Sequence, residues 1–284
     1  VRPSRLREDL ALLLRNPYGR LGLAILVALV VAAVVGPYLT PYDIWQYGIC
    51  RPFEPPSTQH PFGCDEIGRD LLTLFLYGGR ISLLVGFLAA LLSTLLGAVA
   101  GLVSGYLGGL VDSVIMRVVD ALLALPGLVL MIIFAAILGP SLFNVILVIS
   151  VLSWPPVARV VRSQVVSLKE YPHVEAAKAF GAGATRIIFK HIAPATMPVV
   201  LANMVLQISN AIIAEAALSF LGLGDPRIPS WGGILRFAFR MGAMSAGYWW
   251  YVVPPGTGIL LAVLSVTFIS YALDEIVNPK LRRF

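Results

Sequence analysis

The chain has 284 residues, of which 58% are hydrophobic and 13% charged, and it carries a net charge of +6. Soluble globules give roughly 25% of their residues to charge, so this composition excludes a soluble enzyme, a disordered chain and a disulfide-dense secreted scaffold alike. What remains is a polytopic membrane protein whose basic balance suits anionic head groups or an acidic cytoplasmic partner before nucleic acid.

Residues 21–42 carry no charge and predict a first span, since about 20 apolar residues cross the hydrocarbon core. The run is long and lacks a small-x-small cleavage site, so it reads as a retained helix and not a signal peptide. Residues 38–80 form a connection rich in Pro, Gly and acids (Asp43, Glu54, Asp65, Glu66, Asp70), and this loop holds both cysteines, Cys50 and Cys64. Residues 81–111 give a second span, on which Gly97, Gly101 and Gly105 recur every four residues. Small residues at that spacing let helices touch backbone to backbone, within the bundle or at a subunit contact. From Ala121 to Ala158 no residue is charged, and Gly139-Pro140-Ser141 interrupts the run. This predicts two spans joined by a tight turn, the first beginning near Asp112, with Arg117 and Asp120 neutralising each other three residues apart.

Residues 159–194 are basic and helix-prone. Pro172 suits a first helical turn, Val174 to Phe180 is a helix former, and Gly181 and Gly183 stop it. Thr185 is expected to cap a second short helix, Arg186 to Ile192, which Pro194 ends. The small alanines of the first helix let a partner surface approach closely. A fifth span is expected after Pro198, running to about Leu221, and a sixth after Pro254-Pro255-Gly256. On the fifth, Asn203, Gln207 and Asn210 share a face, suited to interhelical hydrogen bonding or to lining a polar passage. Glu215 lies off that stripe and reads as a hydrogen-bonded structural cap in preference to a substrate ligand, the other role open to an intramembrane acid. Fifteen Lys and Arg fall on one side of this arrangement and six on the other, which places both termini in the cytoplasm.

Catalytic signatures are missing. There is no G-x-x-x-x-G-K-[ST] and no G-x-S-x-G. His60, His173 and His191 form no H-E-x-x-H, and none is spaced from a cysteine as a metal ligand. An enzyme is not expected.

Glu175-Ala176-Ala177, then Gly181 and Pro194, resemble the E-A-A…G…P signature of ABC importer permeases, with Ala193 at the family's Leu and His191 at its Ile. His60-Pro61-Phe62-Gly63-Cys64-Asp65-Glu66-Ile67-Gly68-Arg69-Asp70, and Gly79-Arg80-Ile81-Ser82-Leu83 after it, resemble a stretch of the C-type permease of dipeptide, oligopeptide and nickel importers. Met116-Arg117…Asp120…Pro126 and Leu218 to Gly224 with Pro229-Ser230-Trp231-Gly232 extend the likeness over nearly the whole chain. It departs at Ile269 to Ile276 and resumes at Asn278-Pro279-Lys280-Leu281.

The resemblance implies an all-α, six-helix type I importer fold in the inner membrane. Residues 1–79 would supply the N-terminal tail, first helix and outer loop, and residues 80–284 the transmembrane domain with its coupling loop at 159–194. It implies a homologous B-type permease, two ABC ATPases, an extracytoplasmic solute-binding protein and lipid as partners, and no nucleic acid. No cofactor belongs to this chain; ATP and Mg would sit on the ATPases. Glu175, Ala176, Ala177, Phe180, Gly181 and Pro194 would meet an ATPase, and Asn203, Gln207 and Asn210 would line the translocation path. The group imports peptides, nickel or oligosaccharides, and peptide is the expected solute. A secondary transporter or channel would need mid-bilayer ion-coupling acids and no docking loop, and a membrane-anchored assembly protein would need neither polar stripe nor hinged loop. Cys64 stands at a family Thr. Both cysteines lie in one loop outside the cytoplasm, where a disulfide persists, so a Cys50–Cys64 bond is expected, with two unpaired thiols as the alternative.

Overall fold

The computed structural model describes residues 14–277. The tail through residue 13 and the Asn278-Pro279-Lys280-Leu281 element lie outside the described residues. Helix α1 (Pro17–Leu39) starts where Asn16 accepts from the Tyr18 and Gly19 amides at 2.8 and 3.2 Å. Its Gly22 lies so close to α11 (Trp249–Val277) that a Cβ there would stand 2.5 Å from the Ser265 carbonyl.

Helix α2 (Leu71–Leu107) is the spine of the bundle. The Gly97, Gly101 and Gly105 stripe faces α6 (Pro155–Leu168). A Cβ on these glycines would meet Val157, Val161 and Val165 at 2.6, 2.7 and 2.7 Å respectively. The stripe therefore serves packing inside the bundle, and a contact between subunits is not its use.

Among the described residues five runs are long and apolar enough to cross a bilayer: Pro17–Leu39, Leu71–Leu107, Leu142–Leu168, Ala184–Phe220 and Trp249–Leu273. The segment expected as the third span is α3 (Gly109–Ala124) followed by α4 (Gly127–Leu138), bent by 93° between them. It makes a sixth span only if the bent pair counts as one. The bend has a local cause. Leu125 precedes Pro126 and sits at φ −99°, ψ 147°, because the proline ring excludes the helical region for the residue before it. The pair Arg117–Asp120 expected along α3 is not formed. Asp120 instead binds Arg159, and Asp112 takes Arg162 through both oxygens. Arg159 of the facing helix reaches one oxygen of Asp120 at 2.5 Å, whereas Arg162 presents its guanidinium fork to Asp112, so both acids tie α3 to α6 and neither is spent within its own helix.

Helix α5 (Leu142–Ser153) continues into α6, so the span reaches Leu168 and the connection expected at 159–194 shrinks to residues 169–183. Within it α7 (Pro172–Ala179) lies alone. Helix α8 (Ala184–Ile187) begins after Gly183 with no side-chain cap, so Thr185 does not serve as one. A π-helical turn (Ile188–Ile192) joins α8 to α9 (Ala193–Phe220). The chain is helical without a break from Ala184 to Phe220, and Pro194 and Pro198 lie inside it. The wide turn carries the Ala193 amide to the Ile188 carbonyl, five residues back. Such a turn absorbs the hydrogen bond that Pro194 cannot make. Likewise α11 starts at Trp249 and runs through Pro254 and Pro255. Helix α10 (Trp231–Arg240) connects α9 to α11.

Three apolar clusters stack along the bundle. One gathers α7 and the π-turn through Val174, Ile187 and Ile192; one lies mid-bundle around Val85, Ala89 and Ile149; one holds Trp231, Ile234 and Tyr251 at the opposite end.

Gly101→Val should lower resistance to unfolding by about 1–3 kcal/mol, the usual cost of overpacking, in a denaturing-detergent titration. Gly127→Ala, whose added Cβ meets nothing within 4 Å, should leave the midpoint in place. Equal midpoints for both variants would remove the packing role of the stripe.

Candidate functional site

The α7 elbow is built from its caps inward. Pro172 opens the helix. At its other end Gly181, at φ +80°, donates to the Lys178 carbonyl at 2.9 Å, and Ala182 donates to the Ala177 carbonyl at 3.0 Å. These are the paired bonds of a Schellman C-cap, which needs a left-handed residue at this point. Ala177 and Ala182 pack on the same apolar cluster as Val174. Val174 is fully buried and fastens the elbow to the spans. The other face is open: Glu175 and Ala176 are exposed, and the Phe180 ring is 91% exposed. Pro194, although exposed, lies in the first turn of α9 and off the elbow.

The polar stripe of α9 divides. Gln207 is buried and donates to the Ser153 carbonyl, linking α9 to the end of α5. Exposed Asn210 donates to the Gln207 side chain at 3.2 Å. Half-buried Asn203 turns to its own helix and donates to the Val199 carbonyl at 2.8 Å.

At the far end, the 40–70 loop is a built structure. Cys50 and Cys64 are joined by a disulfide, with Cα atoms 6.5 Å apart. Buried Asp65 accepts from the Ile67 and Arg69 amides and from Arg69 Nε at 3.0, 2.8 and 2.6 Å. Asp70 caps α2 by accepting from the amide and hydroxyl of Thr73, each at 2.8 Å, and its other oxygen meets His60 Nδ1 at 3.0 Å. The Tyr251 hydroxyl donates to Glu66 and ties the loop to α11. His60 lies with both sulfurs inside 4.8 Å, a juxtaposition that its spacing from the cysteines did not suggest. Bonded to each other, the sulfurs offer no thiolate to a metal.

Below this loop Glu215, 2% exposed, accepts from Ser82 and Ser219 at 2.8 and 2.7 Å. Ser82 in turn accepts from the Trp231 amide at 3.2 Å, so one carboxylate joins α2, α9 and α10. The sequence reading passed over the fold-building role of the His60 to Asp70 stretch. The pattern Asp70-Leu71-Leu72-Thr73 before an apolar run was the available signal for a helix cap.

A bundle of long apolar helices, an elbow with one anchored and one free face, and a buried polar seam define a membrane permease subunit. The model of the family described as binding-protein-dependent transport system inner membrane component matches residues 81–283. A second model, the N-terminal TM domain of oligopeptide transport permease C, matches residues 4–56. The chain belongs to this binding-protein-dependent transport family and is a multi-pass inner-membrane protein. It is similar to the dipeptide transport system permease protein DppC of Bacillus subtilis (strain 168), 40% identical over 95% of this chain and 84% of the relative. The DppC of Alkalihalophilus pseudofirmus is 38% identical, over 97% and 90% respectively. A putative peptide transport permease of Brucella abortus is 37% identical over 95% and 90%. Among solved structures, the MetNI methionine ABC transporter in inward-facing conformations matches 74% of this chain and 97% of its own with TM-score 0.55. At 21% identity that likeness shows the shared type I importer fold.

Alkylation of unreduced protein should add no alkyl group by intact mass, and two groups should appear only after reduction. Two groups without reduction would mean that the Cys50–Cys64 bond is absent from the protein as made.

Proposed function

We propose that this chain is one of two homologous transmembrane subunits of an ATP-driven importer of di- or oligopeptides. A B-type permease completes the passage, two ABC ATPases bind ATP and Mg and hydrolyse the nucleotide, and an extracytoplasmic binding protein delivers the solute. The reading rests on the α7 elbow: Val174 fixes one face while Phe180, 91% exposed, stands free on the other. A large ring held out from a capped helix is an anchor for a pocket on a partner. The peptide assignment follows the names of the relatives, all of them dipeptide or peptide permeases.

In this reading ATP favours the closed ATPase pair, and the docked elbow ties that closure to one arrangement of the spans. The connection is mechanical. Only Phe180 to Gly183 separates α7 from the continuous helix Ala184–Phe220, so a displaced elbow moves the span that carries Asn203, Gln207 and Asn210. Those three side chains line the path in this proposal. This chain supplies passage and transmission, and catalysis resides in the ATPases.

Gly181→Val tests the elbow. A branched residue in the left-handed region costs about 1–2 kcal/mol, about an order of magnitude in the docked population. No atom lies within 4 Å of the added Cβ, so the spans stay folded. Reconstituted importer should keep hydrolysing ATP while peptide import falls about tenfold. Import coupled as in the parent would remove the elbow from the mechanism.

For the path, Asn203→Cys, Gln207→Cys and Asn210→Cys should react with a water-soluble thiol reagent in at least one nucleotide state, Asn210→Cys fastest. Three inert positions in both the resting and the ATP-bound states would reduce the stripe to packing.

A further inference from the structure

A cleft open to solvent lies at the end of the bundle opposite the α7 elbow. Trp45 and Arg69 of the 40–70 loop form one wall, and Asp225, Arg227, Pro229 and Arg236 form the other. Two of its three cations are already engaged. Arg69 binds Asp65 at 2.6 Å, and Arg227 binds Asp225 through Nε and Nη2 at 3.2 Å each. Asp225, the one acid lining the cleft, also accepts from the Arg227 amide at 3.0 Å.

Arg236 differs. It is half-buried and has neither a hydrogen bond nor an ion pair among the described residues. Its guanidinium lies flat on Gly222, where a Cβ would come within 2.3 Å of Cζ, and Gly222 holds φ +88°. The turn after α9 thus makes room for this group and leaves it unpaired. A guanidinium stays ionised and presents five donors in a planar fork. With both acid–arginine pairs closed, the cleft carries one uncompensated positive charge whose geometry fits a carboxylate.

The cleft is shallow, with about 60 Å³ of space that water-sized molecules can reach, so it seats the end group of a solute and not a whole one. The partly apolar walls around one charge suit a short solute with an anionic end. By the distribution of Lys and Arg this end of the bundle faces outward, where a solute arrives. We propose that the Arg236 cleft is a carboxylate subsite at the outer mouth, taking the C-terminal carboxylate of an arriving peptide. The identity of the solute rests on the peptide-import reading, whereas the anion site rests on the cleft alone.

The test uses the full chain in lipid nanodiscs at low ionic strength, titrated with three probes: alanyl-alanine, its C-terminal amide, and N-acetyl-glutamate α-amide. Alanyl-alanine should bind at least about tenfold tighter than its amide, since the amide loses the charge-assisted hydrogen bonds to the guanidinium fork. Arg236→Gln should abolish that preference. Arg236→Lys, which keeps the charge and loses the fork, should retain part of it. Arg240→Gln, the same charge change on the same helix outside the cleft, should leave it intact. Equal affinities, no binding of any probe, or a preference that survives Arg236→Gln would overturn the proposal. N-acetyl-glutamate α-amide binding as tightly as the dipeptide, and depending on Arg236, would overturn the solute assignment in favour of an acidic side chain on a docked protein. A parallel import assay separates the two readings. An assembled importer that moves another solute but no peptide, while the acid-over-amide preference persists, faults the peptide reading and leaves the anion site standing.

Discussion

Hydrocarbon gives apolar helices no reason to leave lipid for one another, so a bundle must hold by close contact and by buried polar bonds. In this protein both requirements fall on α2. Where it meets α6 its side chains are reduced to hydrogen at Gly97, Gly101 and Gly105, and valines of α6 fill the space. Nearer the other end Gly86 does the same for Ile212, and Gly79 for Trp231. Between these contacts Ser82 links the Glu215 carboxylate to the Trp231 amide, so three helices share one seam whose donors and acceptors are satisfied together. A buried carboxylate left without such partners would cost several kcal/mol. The close packing of glycine and the bonding of Glu215 thus depend on each other: backbones that stood further apart would leave the carboxylate unmet.

Hydropathy made most of this architecture legible before any coordinates. Runs of uncharged residues locate every span, and the Gly spacing on α2 gives the packing face. What hydropathy does not carry is direction. The segment from Gly109 to Leu138 is apolar enough throughout, yet Pro126 turns it by 93°. Prolines misled in the opposite sense elsewhere. Pro194, Pro198, Pro254 and Pro255 were read as helix boundaries, a rule drawn from water, where a helix with a missing bond is easily replaced by solvated coil. In a bundle the freed carbonyls have no water to turn to, and a π-turn or a neighbouring side chain keeps the helix running. Local charge pairing failed for a related reason. Arg159 and Arg162 approach Asp120 and Asp112 from another helix, and sequence proximity says nothing of that approach.

The functional surfaces were legible to different depths. Gly181 announces itself, because a helix former ending in Gly has few other meanings, and the Schellman bonds follow from it. Which face of α7 stays open depends on Val174 finding Ile187 and Ile192 beneath it, a tertiary fact. Pro194 belongs to the same signature in sequence yet stands beyond the π-turn, so linear spacing grouped residues that the fold separates. The 40–70 loop was the least legible part. Its order comes from Asp65, Asp70 and His60 binding backbone and side chains across the loop, a network that composition alone reads as an irregular acidic connection. Arg236 carries no motif at all, and its solitude is visible only once every neighbouring acid has been seen to be engaged.

The unbroken helix from Ala184 to Phe220 has 37 residues, which at 1.5 Å per residue is a strut of about 55 Å. One end stands next to the elbow and the other carries Glu215 and the turn into α10. A rigid strut of that length converts angle into travel: pivoting it by about 5° at one end sweeps the other through roughly 5 Å. The π-turn sits a single helical turn from the elbow, so any bending there is carried over nearly the whole length of the strut. In the proposed mechanism the travel at the far end is therefore set by helix length and by how stiffly the π-turn holds.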